Sequence, residues 1–138
     1  MAALSELGEV VAQSSLYETE PLEYTEQPVF INAVAAVRTE LLPEAVLGKL
    51  LEVERCFGRD RKTGIPKGPR VLDLDLLMAD DQVLHTPTLT VPHPAMAKRR
   101  FVLAPLAEIA PGLRHPLLHK TMRELLRELP EEGVRRLS

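Results

Sequence analysis

The sequence holds no tryptophan, one cysteine, two tyrosines and three phenylalanines, so aromatics make up only 4% of it. A single thiol, Cys56, excludes an internal disulfide, and the absence of any Cys-rich or Cys-His spacing excludes the usual zinc frameworks. Cys56 is expected to pack as a small core residue of a helix. Charge of one sign is also lacking. The 17 basic and 20 acidic residues leave a formal net charge of −3, which argues against a general nucleic-acid or membrane-binding surface. No apolar run approaches the ~20 residues of a membrane span, and there are no repeats or low-complexity tracts. The opening Met-Ala-Ala-Leu-Ser-Glu-Leu has neither the basic nor the apolar region of a secretion signal. These absences predict a soluble, cytoplasmic protein with no nucleic-acid and no membrane partner. Its 138 residues, 45% of them hydrophobic, fit one domain over residues 1–138 with one apolar core.

What the sequence does have is punctuation, in the form of 12 prolines between short periodic segments. Residues 2–7 read as a short helical fragment ended by Gly8. Residues 10–19 read as a strand, residues 20–28 as a polar loop, and residues 29–39 as a second strand with Phe30 and Asn32 on one face, the two strands forming a hairpin. Pro43 starts a helix that runs to Phe57 and stops at Gly58, with Leu47, Leu50, Val53 and Phe57 as its core stripe. Residues 59–69 are too rich in Gly, Pro and charge for regular structure and read as a mobile loop. Asp80-Asp81 predicts a turn into a short strand over residues 83–85, and a helical segment follows the turn at residues 90–94 and runs through Ile109. Thr121-Met-Arg-Glu124 is a capping box that opens a last helix to Leu129. Strands and helices segregated in this way indicate an α+β sandwich, helices packed on a mostly antiparallel sheet.

Within this frame one stretch carries chemistry. Arg70-Val-Leu-Asp73-Leu-Asp75-Leu-Leu has the period of a half-buried strand, so both aspartates leave the same face. Two like charges side by side call for a cation or a shared proton, and hard carboxylate oxygens suit magnesium. Arg55, Arg59, Arg61, Lys62, Lys67 and Arg70 run just upstream with Asp60 as the only acid among them. Acids for a divalent metal beside arginines for phosphate read as a nucleotide polyphosphate site. The alternative for a bare Asp-x-Asp is a strand with two solvated aspartates beside an exposed basic loop. Glu54 falls near the apolar stripe of its helix, where a carboxylate is costly unless paired. His115 and His119 are four apart, but Pro116 between them argues against a metal-binding helix face.

Lys67-Gly68-Pro69-Arg70-Val71-Leu72-Asp73-Leu74-Asp75-Leu76-Leu77 resembles the signature of the 6-hydroxymethyl-7,8-dihydropterin pyrophosphokinases of folate biosynthesis. Four further segments support the resemblance in the family's order: residues 17–22, residues 27–33, residues 54–61, and residues 89–94 with Arg99 and Phe101. It implies a ferredoxin-like fold and transfer of pyrophosphate from ATP to a pterin alcohol with two Mg2+ ions. By residue, it implies Asp73 and Asp75 as metal ligands, and Arg61 and Arg70 as catalytic arginines on the ATP phosphates. Glu54, Leu76, Thr90, His93 and Arg99 would complete the ATP site. Phe30 and Phe101 would stack on the pterin while Thr19, Leu22 and Asn32 read its edge.

The resemblance is incomplete in places. Leu51 stands where the family often has glutamine, Thr88 where it often has arginine, Glu20 where proline commonly follows the threonine, and Lys67 where some members have a tryptophan over the pterin. The family also begins with a strand ending in a Gly-Ser-Asn turn and then a full helix, neither of which this sequence carries. The sequence therefore reads as shortened at its start relative to the family. The reading from another class is a non-catalytic pterin- or nucleotide-binding remnant, or an interaction module.

Overall fold

A computed structural model describes residues 7–19, 30–58, 74–130 and 133–137. The described elements are strands β1 (Glu9–Gln13), β2 (Leu16–Thr19), β3 (Phe30–Asn32) and β4 (Ala35–Arg38), helix α1 (Pro43–Gly58), strands β5 (Leu84–His85) and β6 (Thr90–Val91), helices α2 (Arg100–Ile109) and α3 (Met122–Arg127), and strand β7 (Val134–Leu137). The class is α+β with antiparallel pairing throughout the described strands: β1 with β4, β2 between β3 and β7, and β5 with β6.

The expected hairpin is present, but each of its long strands is broken in two. Ser14 causes the break. Its backbone N–H still donates to Val34 O at 2.8 Å, while its hydroxyl accepts the Val34 N–H at 2.9 Å and donates to Ser15 O. A side chain thus takes a bond that a continuous ladder would make, as short polar residues do where they compete with the backbone. A register shift between Val10 and Ala12 adds a bulge to the β1–β4 pair. Gly8 enters this pair so tightly that a Cβ there would stand 2.1 Å from Arg38 O. Only glycine fits that approach.

Helix α1 matches its expected span, with Pro43 in its first turn, Glu44 toward the positive end of its dipole and Arg55 toward the negative end. Its buried face is Val46 and Leu50; of the expected stripe, Leu47 and Val53 are only half-buried. Cys56 is exposed, contrary to the expected core placement, because it lies off that face. The capping box is present in full: Thr121 Oγ1 accepts from Glu124 N–H, and the Glu124 carboxylate accepts from Thr121 N–H. The α3 helix ends at Arg127, two residues short of expectation. Strand β7 had no signal in Val-Arg-Arg-Leu; it forms because its backbone finds β2, Leu16 facing Leu137.

Apolar side chains gather in two clusters. Leu7, Val46 and Leu50 form one between α1 and the β1–β4 pair. Met96, Leu103, Leu106, Met122 and Leu125 form the other between α2, α3 and a short 3-10 turn at Met96–Lys98. Residues 74–79 run between the two: Leu74 and Leu76 pack on the first cluster, Leu77 and Met78 on the second. The sequence predicted this stretch as a strand, yet it is not one. No described strand lies alongside to make a ladder with it, and an alternating pattern without a partner stays merely extended.

Helix α2 is tied to the strand layer by one carboxylate. Glu108 accepts from Ser15 N–H at 3.0 Å, from Ser15 Oγ–H at 3.0 Å and from Tyr17 O–H at 2.8 Å, and Arg136 of β7 stands 3.4 Å away. These bonds join α2 to β2 and β7 at the strand break.

Candidate functional site

Asp75, Leu76, Thr90, His93, Pro94 and Leu47 line a cleft of about 230 Å³ between α1, the 74–79 segment and the β6 turn. The period-two alternation explains why Asp75 is there. Leu74 and Leu76 turn into the α1 cluster, so the residue between them turns out to solvent, and Asp75 is exposed. Glu54, half-buried on α1, reaches the same segment. Its Oε2 accepts the Leu74 N–H at 2.5 Å. The expected pairing of this costly carboxylate is therefore with backbone.

The opposite wall is the turn after β6, which follows a cis Val91–Pro92 peptide bond. His93 N–H donates to Leu77 O at 2.7 Å, tying the turn to the Asp75 segment. The ring is oriented as well: His93 Nδ1 accepts the Ala95 N–H at 3.2 Å. With Nδ1 as acceptor, the proton of the neutral imidazole is assigned to Nε2, which then carries a fixed donor. Thr90 is half-buried on β6 with its Oγ1 3.3 Å from His85 Nδ1. Thr88, at the position where the family often has arginine, also lines this cleft.

Asp75 is an exposed carboxylate lining the cleft. Such a donor fits a hard cation that keeps water and takes substrate oxygens into its shell. Among the described residues no group of three or more His, Cys, Asp or Glu converges on one point. His115 is buried, and its Nδ1 accepts from Leu117 N–H and Leu118 N–H at 3.2 and 3.1 Å.

The residues assigned to the pterin lie on two elements. Thr19 ends β2 opposite Phe30, and Asn32 stands opposite Tyr17. Asn32 Nδ2 donates to Thr19 Oγ1 at 2.8 Å, which orients the amide and leaves its carbonyl oxygen and second N–H for other partners. Phe101 is half-buried in the first turn of α2. The Arg99 guanidinium lies 5.6 Å from its ring centroid, a cation–π contact. So a residue assigned to ATP touches one assigned to the pterin.

Leu22, Arg61, Arg70 and Asp73 lie outside the described residues, as do the expected loop over residues 59–69, Lys67 and most of the expected helical fragment over residues 2–7. Sequence reasoning did not find Glu108, Ser15, Tyr17 and Arg136 as a cluster. Glu108 lies 93 and 91 residues from Ser15 and Tyr17, and Arg136 lies 121 from Ser15, and no local pattern signals such contacts. It also did not find the Leu77 carbonyl that holds His93, since backbone acceptors leave no trace in residue identity.

Comparison with known proteins supplies the family. Residues 1–111 match the family described as 7,8-dihydro-6-hydroxymethylpterin-pyrophosphokinase. Over 128 residues the chain is 46% identical to the 2-amino-4-hydroxy-6-hydroxymethyldihydropteridine pyrophosphokinase of Pseudomonas aeruginosa, covering 93% of this chain and 77% of that protein. The protein of the same name from Methylorubrum extorquens is 41% identical, with 93% and 78% covered. The folic acid synthesis protein fol1 of Schizosaccharomyces pombe is 40% identical over 126 residues, which are 91% of this chain but only 17% of that much longer protein. The cleft carrying Asp75, Thr90 and His93 lies within the matched residues, and the chain belongs to the 7,8-dihydro-6-hydroxymethylpterin-pyrophosphokinase family.

Proposed function

We propose that this protein transfers pyrophosphate from ATP to 6-hydroxymethyl-7,8-dihydropterin, releasing AMP, as a step of folate biosynthesis. The observation that carries the reading is the convergence of Asp75, Thr90 and oriented His93 on one cleft, in a chain of this family. In the reaction the pterin hydroxymethyl oxygen attacks the β-phosphorus of ATP, the bond from that phosphorus to the α,β-bridging oxygen breaks, and AMP leaves. No covalent enzyme intermediate is required, so the protein's contribution is positioning and neutralisation of phosphate charge.

Asp73 and Asp75 would hold two Mg2+ ions, and such ions would neutralise charge on the phosphate oxygens and draw electron density from phosphorus. His93 donates from Nε2 to a phosphate oxygen, and Thr90 and Leu76 bound the nucleotide. Arg61, Arg70 and Arg99 bind the phosphates with planar forks. Phe30 and Phe101 stack on the pterin, and Thr19, Leu22 and Asn32 recognise its edge. The Arg99–Phe101 contact supports this assignment because it brings a phosphate-binding group beside a pterin-binding one, as transfer between the two substrates requires. The whole chain is inferred to adopt the ferredoxin-like sandwich of the family and to act in the cytoplasm. No described helix is long and apolar enough to cross a membrane.

The test is AMP release from ATP, magnesium and the pterin alcohol, followed by chromatography. The wild-type protein is expected to form AMP in step with the pterin diphosphate, and Asp75→Asn to lose at least a thousandfold in kcat with an unchanged melting temperature. Near-normal turnover of Asp75→Asn would sink the assignment. A non-catalytic binding module would instead bind ATP or pterin and release no AMP.

A further inference from the structure

We propose that Glu54 is a positioning residue: its carboxylate selects the register in which Asp75 is presented to the cleft. The inference rests on the reading of Asp75 as an acid of the phosphate site. Residues 74–79 have no described strand beside them, so their backbone polar groups are satisfied one at a time. On one edge the Leu74 N–H goes to Glu54 Oε2 at 2.5 Å, and on the other the Leu77 carbonyl takes the His93 N–H at 2.7 Å.

On the α1 side, apolar packing cannot by itself choose the register. Leu72, Leu74 and Leu76 alternate with Asp73 and Asp75, so a slip of one residue would push an aspartate into the Leu7/Val46/Leu50 cluster and is forbidden. A slip of two residues, however, still puts a leucine or methionine on that cluster, and is opposed elsewhere, where it would take Leu77 and Met78 from their places on the second cluster and break the His93–Leu77 bond. At the α1 face itself hydrophobic burial is non-directional and does not mark one leucine out from the next. A hydrogen bond to an ionised acceptor is directional and strong, and it marks one N–H out of the repeat. Glu54 stands on α1, a sixteen-residue helix anchored by Val46 and Leu50, so the mark is made from a rigid element. Glu54 on the α1 side thus fixes the same register that the His93–Leu77 bond fixes on the other, and it does so at the residue next to Asp75. Its Oε2 is committed to the backbone, so the residue acts through Asp75.

Three substitutions separate this role from a nucleotide contact. Glu54→Gln keeps an acceptor at the same reach, Glu54→Met keeps the length without an acceptor, and Glu54→Asp keeps the charge but is one methylene too short. Hydrogen exchange at the Leu74 amide and steady-state kinetics with ATP, magnesium and the pterin alcohol are measured for each. Met and Asp are expected to lose at least tenfold in Leu74 protection and tenfold in kcat, with KM for ATP changed less than threefold. Gln is expected to recover most of both losses. An aspartate variant that outperforms the glutamine one, or a raised KM for ATP at unchanged kcat, would overturn the positioning role. Should Glu54→Met fail to fold, the Gln and Asp pair still decides. Absence of AMP from the wild-type protein would overturn the pyrophosphokinase reading instead, and an equal Leu74 exchange in Gln and Asp within an active protein would overturn the role of Glu54 alone.

Discussion

Replacing Glu108 with alanine should destabilise the protein strongly for the loss of one partly buried side chain. The carboxylate accepts from Ser15 N–H, Ser15 Oγ–H and Tyr17 O–H, with Arg136 at 3.4 Å. A hydrogen bond to an ionised group contributes about 1.5–3 kcal/mol. The three are not additive, and Glu108 remains 21% exposed, so water recovers part of the loss at Ser15. It recovers less at Tyr17, which is 7% exposed and would be left with an unpaired hydroxyl. The expected cost is about 3 kcal/mol, or a fall in Tm of about 12 °C for a chain of this size. Glu108→Gln retains one acceptor oxygen and should lose about half as much. In a double-mutant cycle with Tyr17→Phe the coupling should be about 1–2 kcal/mol.

The pair also sets a pH dependence. The Tyr17 hydroxyl, more than the Ser15 bonds or Arg136, holds the Glu108 carboxyl below its ordinary 4.5 against the opposing effect of burial. A lowered carboxyl pKa stabilises the fold above about pH 4.5 and loses that contribution as pH falls through the folded value. Burial first, then Glu108, pushes the Tyr17 hydroxyl up from 10.0 to about 12, so its contribution is present below pH 10 and lost as pH rises toward 12. Denaturant melts across pH and absorbance titration of tyrosine in a Tyr24→Phe background would test this. A Tm drop under about 3 °C for Glu108→Ala, or a coupling within error of zero, would refute the reasoning.

His115 is kept below its ordinary 6.5 by burial and then by His119, so the fold is stabilised by neutral His115 above pH 6.5 and loses that contribution as pH falls. His115→Ala should abolish the part of the acid slope just below pH 6.5, and an unchanged slope in that variant would exclude the residue. Gly8→Ala must push the β1–β4 pair apart, because its Cβ would meet Arg38 O, and should lower Tm by more than 5 °C with little effect on kcat; a neutral substitution would refute the close approach. Magnesium with a non-hydrolysable ATP analogue should slow hydrogen exchange over residues 59–69, whose first six residues, Arg-Asp-Arg-Lys-Thr-Gly, are suited to phosphate, and unchanged exchange at saturation would count against a nucleotide role for the segment.

Punctuation and period were legible wherever the determinant was local. Pro43 and Gly58 bound α1, and Thr121 with Glu124 capped α3, because helix ends are decided by groups within one turn. The hairpin was legible as a pair of strands but not as a broken one, since the break depends on Ser14 reaching Val34 across the sheet. The 74–79 segment shows the limit from the other side. Its alternation truly sorts leucines inward and Asp75 outward, but alternation reports which face is buried, not whether a neighbouring strand exists. Cys56 was misplaced for a related reason: one-turn differences on α1 decide between a buried Val46 face and solvent, and the assigned stripe was rotated from the actual one. Of the site, Asp75, Thr90 and His93 line one cleft, and Glu54 stood out as a carboxylate near an apolar stripe, whereas the backbone groups that pair with His93 and Glu54 had no sequence signature.

With Asp75 as the proposed metal ligand, its placement makes catalysis and stability separable in this chain. The aspartate is exposed and rests on a segment held from both sides by leucines in two apolar clusters, so removing its charge deletes no packing and breaks none of the ties to α1 or the β6 turn. Glu108 and Gly8 are the converse, holding strands and helix together at a distance from the cleft lining. Glu54 stands between the two classes: its described hydrogen bond goes to backbone, and that backbone carries Asp75. A positioning role therefore requires its variants to lose turnover out of proportion to stability, but by less than Asp75→Asn. If Glu54→Asp instead lost Tm and kcat in the same proportion as Glu108→Ala, the carboxylate would be another brace of the fold, and the register of the leucine-aspartate repeat would have to be set by the His93–Leu77 bond alone.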